Sequence, residues 1–566
     1  MLIESGQLEQ AAQDAFEPDL GAGRFLEAIA LATDHFAQAF CSQYLNKPDP
    51  LKAADYIQRA DAYLAEAQSI SAALSHTRVR VKTPEGYAFY ALYPEQYRDA
   101  ARFWAAEHST ADLHNAIVLG IRSIGTSLSA VVSAELENAG WNVRRVCVRP
   151  AGHPFQRHVD LCSAGIDATQ HALIVDEGPG LSGSSFVAVA KALTTAGIYP
   201  ENITFLPGHC GAPGPAASDE VRHWWSRTPR LCVRLEDLRW SGHSLQEQLV
   251  AETLRLCDGN EVAGIDDLSG GAWRQAVFSD EKDWPAVCAL FERLKYRVRL
   301  TSGAAVLWKF AGLVPREDGR SSAQATLEQL SARALRGWTP APLGSTLGFV
   351  ATQWIGGEIP TLDTALTSEI GRYIIEVSGP VLSKDEQQAS TERLRSMLIV
   401  NAKEGLGSEY VEHATELSDS AERVLCRKPL PRFGDGRMAP FEWRMLAGRL
   451  VKLDAECHDS DHTIVGAQPL LWDVAGAGIE WQMPEAEQAQ LASELVGVVG
   501  EVPPALMLFY KAAYAAFRFG QVSMCLSMRP HEDEARRLQS AANAYSTALR
   551  QCLQQAATAA KAFPCS

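Results

Sequence analysis

Long apolar runs are missing from this 566-residue chain. None approaches the roughly 18 residues that a bilayer needs, so no transmembrane helix and no membrane partner are expected. Runs of Lys and Arg are missing as well. The net charge is −16, whereas a nucleic-acid binder shows a basic face, so no nucleic-acid partner is expected. The twelve cysteines form no CxxC pair. They read as small buried hydrophobes in a reducing, cytoplasmic compartment. The first twenty residues, MLIESGQLEQAAQDAFEPDL, are acidic and have no apolar signal core. Repeats and low-complexity tracts are absent too. What is there is an ordinary globular composition, 46% hydrophobic and 21% charged. The length allows three or four domains.

The most informative stretch is IVDEGPGLSGSSF, from Ile174 to Phe186. An apolar run, Ala172 to Val175, reads as a buried strand. Asp176 and Glu177 sit at its C-terminal end. A small-residue turn follows, with Gly180, Ser182, Gly183, Ser184 and Ser185, and then the helix FVAVAKALTTAG. In open α/β sheets ligands bind beyond the carboxyl ends of strands. Free N–H groups at a helix start cradle phosphate, and Ser hydroxyls add donors. The two carboxylates suit ribose hydroxyls or a bound Mg²⁺.

This stretch resembles the phosphoribosyl-pyrophosphate (PRPP) signature of type I phosphoribosyltransferases, in which two acidic residues precede Thr-Gly-x-Thr. Asp176, Glu177, Ser182, Gly183 and Ser185 occupy the matching positions. Here GPGL separates the acidic pair from Ser-Gly, one residue more than usual. The resemblance extends to an earlier strand and loop at NAIVLGIRSIGTS, where Arg122, Ser123, Gly125, Thr126 and Ser127 match a loop that holds pyrophosphate. Arg149 and Arg157 stand where the family carries a mobile cation. The resemblance implies a Rossmann-like domain over 79–235 that uses PRPP as substrate with Mg²⁺.

Before that domain, residues 1–78 carry apolar residues at helical spacing and read as a helical cap or dimerisation segment, so a homodimer is possible. TRVRVKTPEGYAFYALYP reads as a β-hairpin turning at Pro84-Glu85-Gly86. Residues 236–289 read as a helical linker, with Trp240, Trp273 and Trp284 packing between domains.

From about 290 a hairpin places Lys309 after VLW, the following helix holds Glu328, and GFVATQWIGGE reads as a strand leading to a hinge. Further on stands RFGDGRMAPFEWRMLAGRLVKLDAECHDSDHTIVGAQPLLWDVAGAGIEW. Together these resemble aminoglycoside/choline-type phosphotransferases, with a lobe over 290–358 and a second over 359–566. The resemblance implies that Lys309 holds ATP phosphates and Glu328 orients it. Asp435 would orient or deprotonate an acceptor hydroxyl, Glu442 and Asp454 would share one Mg²⁺, and Asp473 would open the Asp-Leu-Ala-type helix. Phe433 stands in place of the family's His, and Glu442 in place of its Asn, two positions further along. His458 and His462 are four apart beside Asp454, Asp459 and Asp461, and read as loop residues in preference to a transition-metal site.

The expected architecture is therefore an α/β phosphoribosyltransferase-like domain joined to a bilobal α+β kinase-like domain. Its expected function is bifunctional. PRPP-dependent transfer to a small-molecule nucleophile and ATP-dependent phosphorylation of a small-molecule hydroxyl would serve one pathway. The alternative is a non-catalytic nucleotide or PRPP sensor with a degenerate kinase-like domain.

Overall fold

The computed structural model describes residues 1–16, 20–44, 48–71, 79–109, 114–161, 166–167, 170–316, 320–458 and 466–562. They divide into two units, Met1–Glu252 with Ala311–Ser322, and Thr253–Phe310 with Ala323–Ser566.

The first unit opens with α1 (Leu2–Ala15), α2 (Leu20–Ser42) and α3 (Pro50–Ser71), followed by the single turn α4 (Glu85–Ala88) and by α5 (Pro94–Glu107). Among described residues 79–93 no strand forms, which corrects the expected hairpin. Pro84 is the N-cap of a helical turn, and the Gly86 N–H donates to Glu177 Oε2 at 3.2 Å. Tyr87, Phe89, Leu92 and Tyr93 are therefore buried as an irregular cover and not on one face of a ribbon, while Val79 and Val81 stay exposed.

Next come β1 (Asn115–Ile121), α6 (Gly125–Asn138), β2 (Asn142–Val148), the short antiparallel pair β3 (Ala151–His153) and β4 (Gln156–His158), β5 (His171–Val175), α7 (Ser184–Thr195), β6 (Ile203–Leu206), α8 (Asp219–Arg227) and α9 (Leu245–Leu256). The large strands form a four-stranded sheet in the order β2-β1-β5-β6, with every pairing parallel. Parallel strands covered on both faces read as unbroken apolar runs. Ile117, Leu119, Ile174 and Phe205 accordingly pack with Phe186, Val189 and Leu193 of α7. Against α6, Ala37 and Cys41 of α2 meet Ala130, Val131 and Ala134. The N-terminal helices thus belong to the same unit as the sheet.

The second unit contains β7 (Val262–Asp267), α10 (Arg274–Val277), β8 (Lys295–Leu300), β9 (Ala305–Phe310), α11 (Ser322–Leu335), β10 (Pro342–Thr346) and β11 (Phe349–Gln353). Its antiparallel sheet has the order β10-β11-β9-β8-β7. The sheet starts at Val262, inside the expected linker. VAGIDD carries Gly and two acids, so its pairing with β8 has no propensity signal. The tryptophans pack inside their own units. Trp240 meets Tyr93 at 5.1 Å, and Trp273 meets Phe441 at 5.1 Å.

Helices α12 (Thr364–Val377), α13 (Lys384–Leu406) and α14 (Val411–Leu425) follow, then the hairpin β12 (Trp443–Leu446) and β13 (Arg449–Lys452). Ala447 and Gly448 both have positive φ, 47° and 77°, as a two-residue turn of this hand requires. The chain continues through α15 (Leu471–Glu480), α16 (Glu485–Glu494), α17 (Val496–Val499), α18 (Pro504–Ser527) and α19 (Glu532–Ala562). Ile370, Tyr373, Leu394, Trp443, Trp472, Phe509 and Tyr510 centre the core of this helical part.

No helix among the described residues is long and apolar enough to cross a membrane. The cysteines depart from the expectation of free thiols. Cys210 is bonded to Cys232, and Cys288 to Cys525.

Candidate functional site

In the second unit the functional side chains converge on the hairpin. Asp435 follows Gly434, whose carbonyl accepts from the Arg333 guanidinium of α11, which also reaches the Ala455 carbonyl. The Asp473 carboxylate, at the start of α15, accepts from the Gly436 N–H at 2.8 Å and the Asp435 N–H at 3.3 Å. The loop is therefore fixed through its own backbone. Burial, reinforced by the charge of Asp435, pushes the Asp473 carboxyl up to about 7.

At the centre stands a residue that sequence reasoning missed. Lys452 is fully buried, and its Nζ lies 2.8 Å from Glu442 Oε2, 3.1 Å from Asp435 Oδ2 and 2.6 Å from the Asp454 carbonyl. Burial works against its charge, but Asp435 and Glu442 outweigh that and hold its pKa above the ordinary lysine value. The Tyr373 hydroxyl donates to the same oxygen of Asp435, Oδ2. Only the alternation of β13 could have pointed to Lys452, by placing it on the inward face.

Lys309, on β9, lies 2.5 Å from Asp454 Oδ1 and 3.3 Å from Glu456 Oε1. Burial opposes ionisation of Asp454, yet Lys309, His458 and Lys452 together hold its carboxyl well below the usual range. Glu328 is exposed on α11 and accepts from Gln324. Glu456, not Glu328, is thus the second carboxylate on Lys309. His458 is buried, with Nε2 3.7 Å from Asp454 Oδ1. His462, Asp459 and Asp461 lie outside the described residues.

Glu442 and Asp454 do not form the expected Mg²⁺ site. Each is instead paired with its own lysine, Glu442 with Lys452 and Asp454 with Lys309. No cluster of three or more potential ligands suited to a metal ion occurs among the described residues. Beside these groups opens a cavity of about 220 Å³. Lys309, Glu442, Asp454 and Arg444 line it, with Trp273, Trp354 and Phe441 as apolar wall. Asp435 lies behind this wall, fully buried.

The first unit holds a second candidate site. β1 and β5 are neighbours in register, with Gly120 opposite Val175, so their following loops emerge at one edge of the sheet. The β1 loop turns tightly. A Cβ on Gly120 would lie 2.2 Å from the Gly125 carbonyl oxygen, so only Gly fits. In this loop Arg122 Nη1 lies 3.1 Å from Asp14 Oδ1, and Arg149 Nε lies 3.0 Å from the same oxygen. Arg149 Nη1 also donates to the Arg122 carbonyl at 2.7 Å. The two arginines expected at pyrophosphate are therefore together, around a carboxylate supplied by α1. Arg122 Nε and the Thr126 hydroxyl are buried without hydrogen-bond partners.

Other members of the expected set have structural roles. Ser127 Oγ lies 3.0 Å from the Tyr87 hydroxyl. Ser182 and Ser184 both donate to the Pro154 carbonyl, at 3.2 and 2.7 Å, and Arg157 Nη1 donates to the Gly152 carbonyl at 2.8 Å. These groups tie the β3–β4 pair to the start of α7. Gly180 and Gly183 take positive φ, 54° and 64°, as the turn needs. Ser123 and Ser185 are half-buried. Asp176 and Glu177 stay at the sheet edge. Burial raises Asp176 to about 7, and burial with the neighbouring charge of Asp176 raises Glu177 to about 8.

No protein-family profile matches the chain, and no curated protein matches it. Among solved structures it is similar to choline kinase LicA from Streptococcus pneumoniae, at 14% identity and TM-score 0.34, covering 54% of this chain and 100% of that one. It is also similar to a choline/ethanolamine kinase family protein from Mesorhizobium loti, at 15% identity and TM-score 0.35, covering 55% and 98%. A third is macrolide 2'-phosphotransferase MphH from Brachybacterium faecium, at 14% identity and TM-score 0.34, covering 53% and 98%.

Proposed function

We propose that the second unit transfers the terminal phosphoryl group of ATP to a hydroxyl of a small molecule. The observation that carries this reading is the Lys309–Asp454 pair in the wall of the cavity, beside the Asp435–Lys452–Glu442 cluster. Phosphoryl transfer asks for positioning and for cations on the spreading negative charge. Lys309 exchanges its carboxylate partners for nucleotide phosphate oxygens. Asp435 is buried behind the cavity wall, so on this reading acceptor binding must uncover its carboxylate. The carboxylate then takes the proton of the acceptor hydroxyl as the new P–O bond forms and the bond to the leaving ADP oxygen breaks. Lys452 holds Asp435 in place, and Asp473 fixes the turn that carries it. The test is phosphate transfer from radiolabelled ATP to a library of hydroxyl compounds, with Asp435→Asn as control. Labelled product from wild type alone supports the reading. ATP binding with no product from any acceptor favours the sensor alternative, in which lysine-neutralised carboxylates only hold nucleotide.

A second reading concerns the first unit. Arg122 and Arg149 gathered on one carboxylate, with an unpartnered Arg Nε and Thr hydroxyl in the same loop, favour a site for a phosphorylated ligand such as PRPP. Titration with pyrophosphate is its check, because Asp14→Asn removes the competing carboxylate. The variant should bind pyrophosphate more tightly than wild type, and equal or absent binding in both contradicts the reading.

A further inference from the structure

Several charges in the wall of the cavity in the second unit lie beside an opposite charge, and one does not. Glu292 lies 3.4 Å from Lys295 Nζ, and Glu480 lies 3.0 Å from Arg518 Nε. Glu442 and Asp454 have Lys452 and Lys309, as described above. Arg444 is the exception. It lines the cavity and is 1% exposed. Its Nη1 donates to the Phe441 and Trp443 carbonyls, at 2.9 and 2.6 Å. Its Nε is buried with no hydrogen-bond partner. Among the described residues no carboxylate pairs with it, and burial alone, with no opposing acid, draws its pKa below the ordinary guanidinium value.

A guanidinium does not escape this situation by losing its proton. An unpaired buried charge is destabilising, and a chain tolerates one where a ligand supplies the counter-charge. The planar fork of Arg matches the oxygens of a carboxylate or phosphate. Close to it in the wall, Trp273 and Phe441 meet at 5.1 Å with their planes tilted by 33° and offer an apolar face. We infer that Arg444 anchors an anionic group, a carboxylate or a phosphate monoester, on the small molecule that enters this cavity, with the apolar body of that molecule against Trp273 and Phe441. That the molecule is also a phosphoryl acceptor rests on the phosphotransferase reading, whereas its anionic character does not.

The experiment is calorimetric titration of the full chain, without ATP, with four probes. 4-Hydroxyphenylacetate and phenyl phosphate are anionic, 4-hydroxyphenylacetamide is neutral and tyramine is cationic. Wild type should bind at least one anionic probe about tenfold more tightly than the amide, a difference of about 1.4 kcal/mol. Which anion wins tells carboxylate from phosphate. Arg444→Met should abolish the preference, and Arg444→Lys, which keeps the charge without the fork, should retain part of it. Arg444→Gln replaces the methionine variant if circular dichroism shows the latter unfolded. The inference is overturned if the amide or tyramine binds as tightly as the anions, if none of the four binds, or if the preference survives in the variants lacking the cation. Anion binding by a protein that phosphorylates no acceptor would leave this inference standing and sink the phosphotransferase reading alone.

Discussion

The Lys452 ammonium holds together two carboxylates that come from a loop and from the entrance to a hairpin. Removing one member of a buried ionic cluster leaves the others charged and unpaired, which costs about 3–5 kcal/mol. Lys452→Met should therefore lower the melting temperature more than Trp354→Ala in the cavity wall, and a thermal scan of the two variants side by side reads this. Asp176 and Glu177 give the opposite kind of signature. Their folded pKa values are raised to about 7 and about 8, so the folded state binds protons that the unfolded chain has released. Their contribution to stability is complete below the ordinary carboxylate range and is lost as pH rises through about 7 and 8. Melting temperature should fall from about pH 5 to about pH 8.5, and fall less in Asp176→Asn/Glu177→Gln. An identical slope in the variant would remove these carboxylates as its source. At this scale the sequence was legible where identity alone marks chemistry. Lys309, Asp435, Glu442 and Asp454 do come together. Lys452, Glu456, Arg333 and Asp14 were invisible because each matters through a partner at least ten residues distant or in a different element. Glu328, Ser182 and Ser184 matched a pattern, but their side chains face other groups.

Elements were readable wherever a strand run and its turn agreed. β5, β6 and β1 announce themselves as apolar runs, and the β12–β13 hairpin does so through Ala447-Gly448. β7 and α4 did not, because tertiary pairing decides them: β8 recruits the first, and Glu177 holds the second through the Gly86 N–H. The Gly434 position shows how tightly elements are packed around the site in the second unit. A Cβ there would lie 2.0 Å from the Val377 carbonyl oxygen at the end of α12. Backbone cannot yield as a side-chain tip does, so Gly434→Ala should cost about 3 kcal/mol, the upper part of the range for overpacking. Chemical denaturation of the variant measures it. A midpoint equal to wild type would mean that the turn is free to move away from α12.

Across the whole molecule the cysteines carry a prediction that composition did not. Absence of CxxC spacing said nothing about Cys288 and Cys525, which are 237 residues apart in sequence and bonded in the fold. Thiol titration of the denatured, unreduced protein should find at least four of the twelve cysteines, Cys210, Cys232, Cys288 and Cys525, unreactive until reductant is added, and full reactivity without reductant would contradict the pairing. The division into two units also shaped what could be read. Each candidate site lies inside one unit, so local motifs could point to a candidate in each, while the unit borders at Glu252 and Phe310 fall where no composition shift marks them. The central claim is that the second unit holds ATP through Lys309 at the cavity that Asp454 shares. Calorimetric titration of ATP into wild type and Lys309→Met tests it most directly. The account predicts a saturating isotherm for wild type and its loss in a variant that remains folded. No ATP binding by wild type, or equal binding by both proteins, would contradict it.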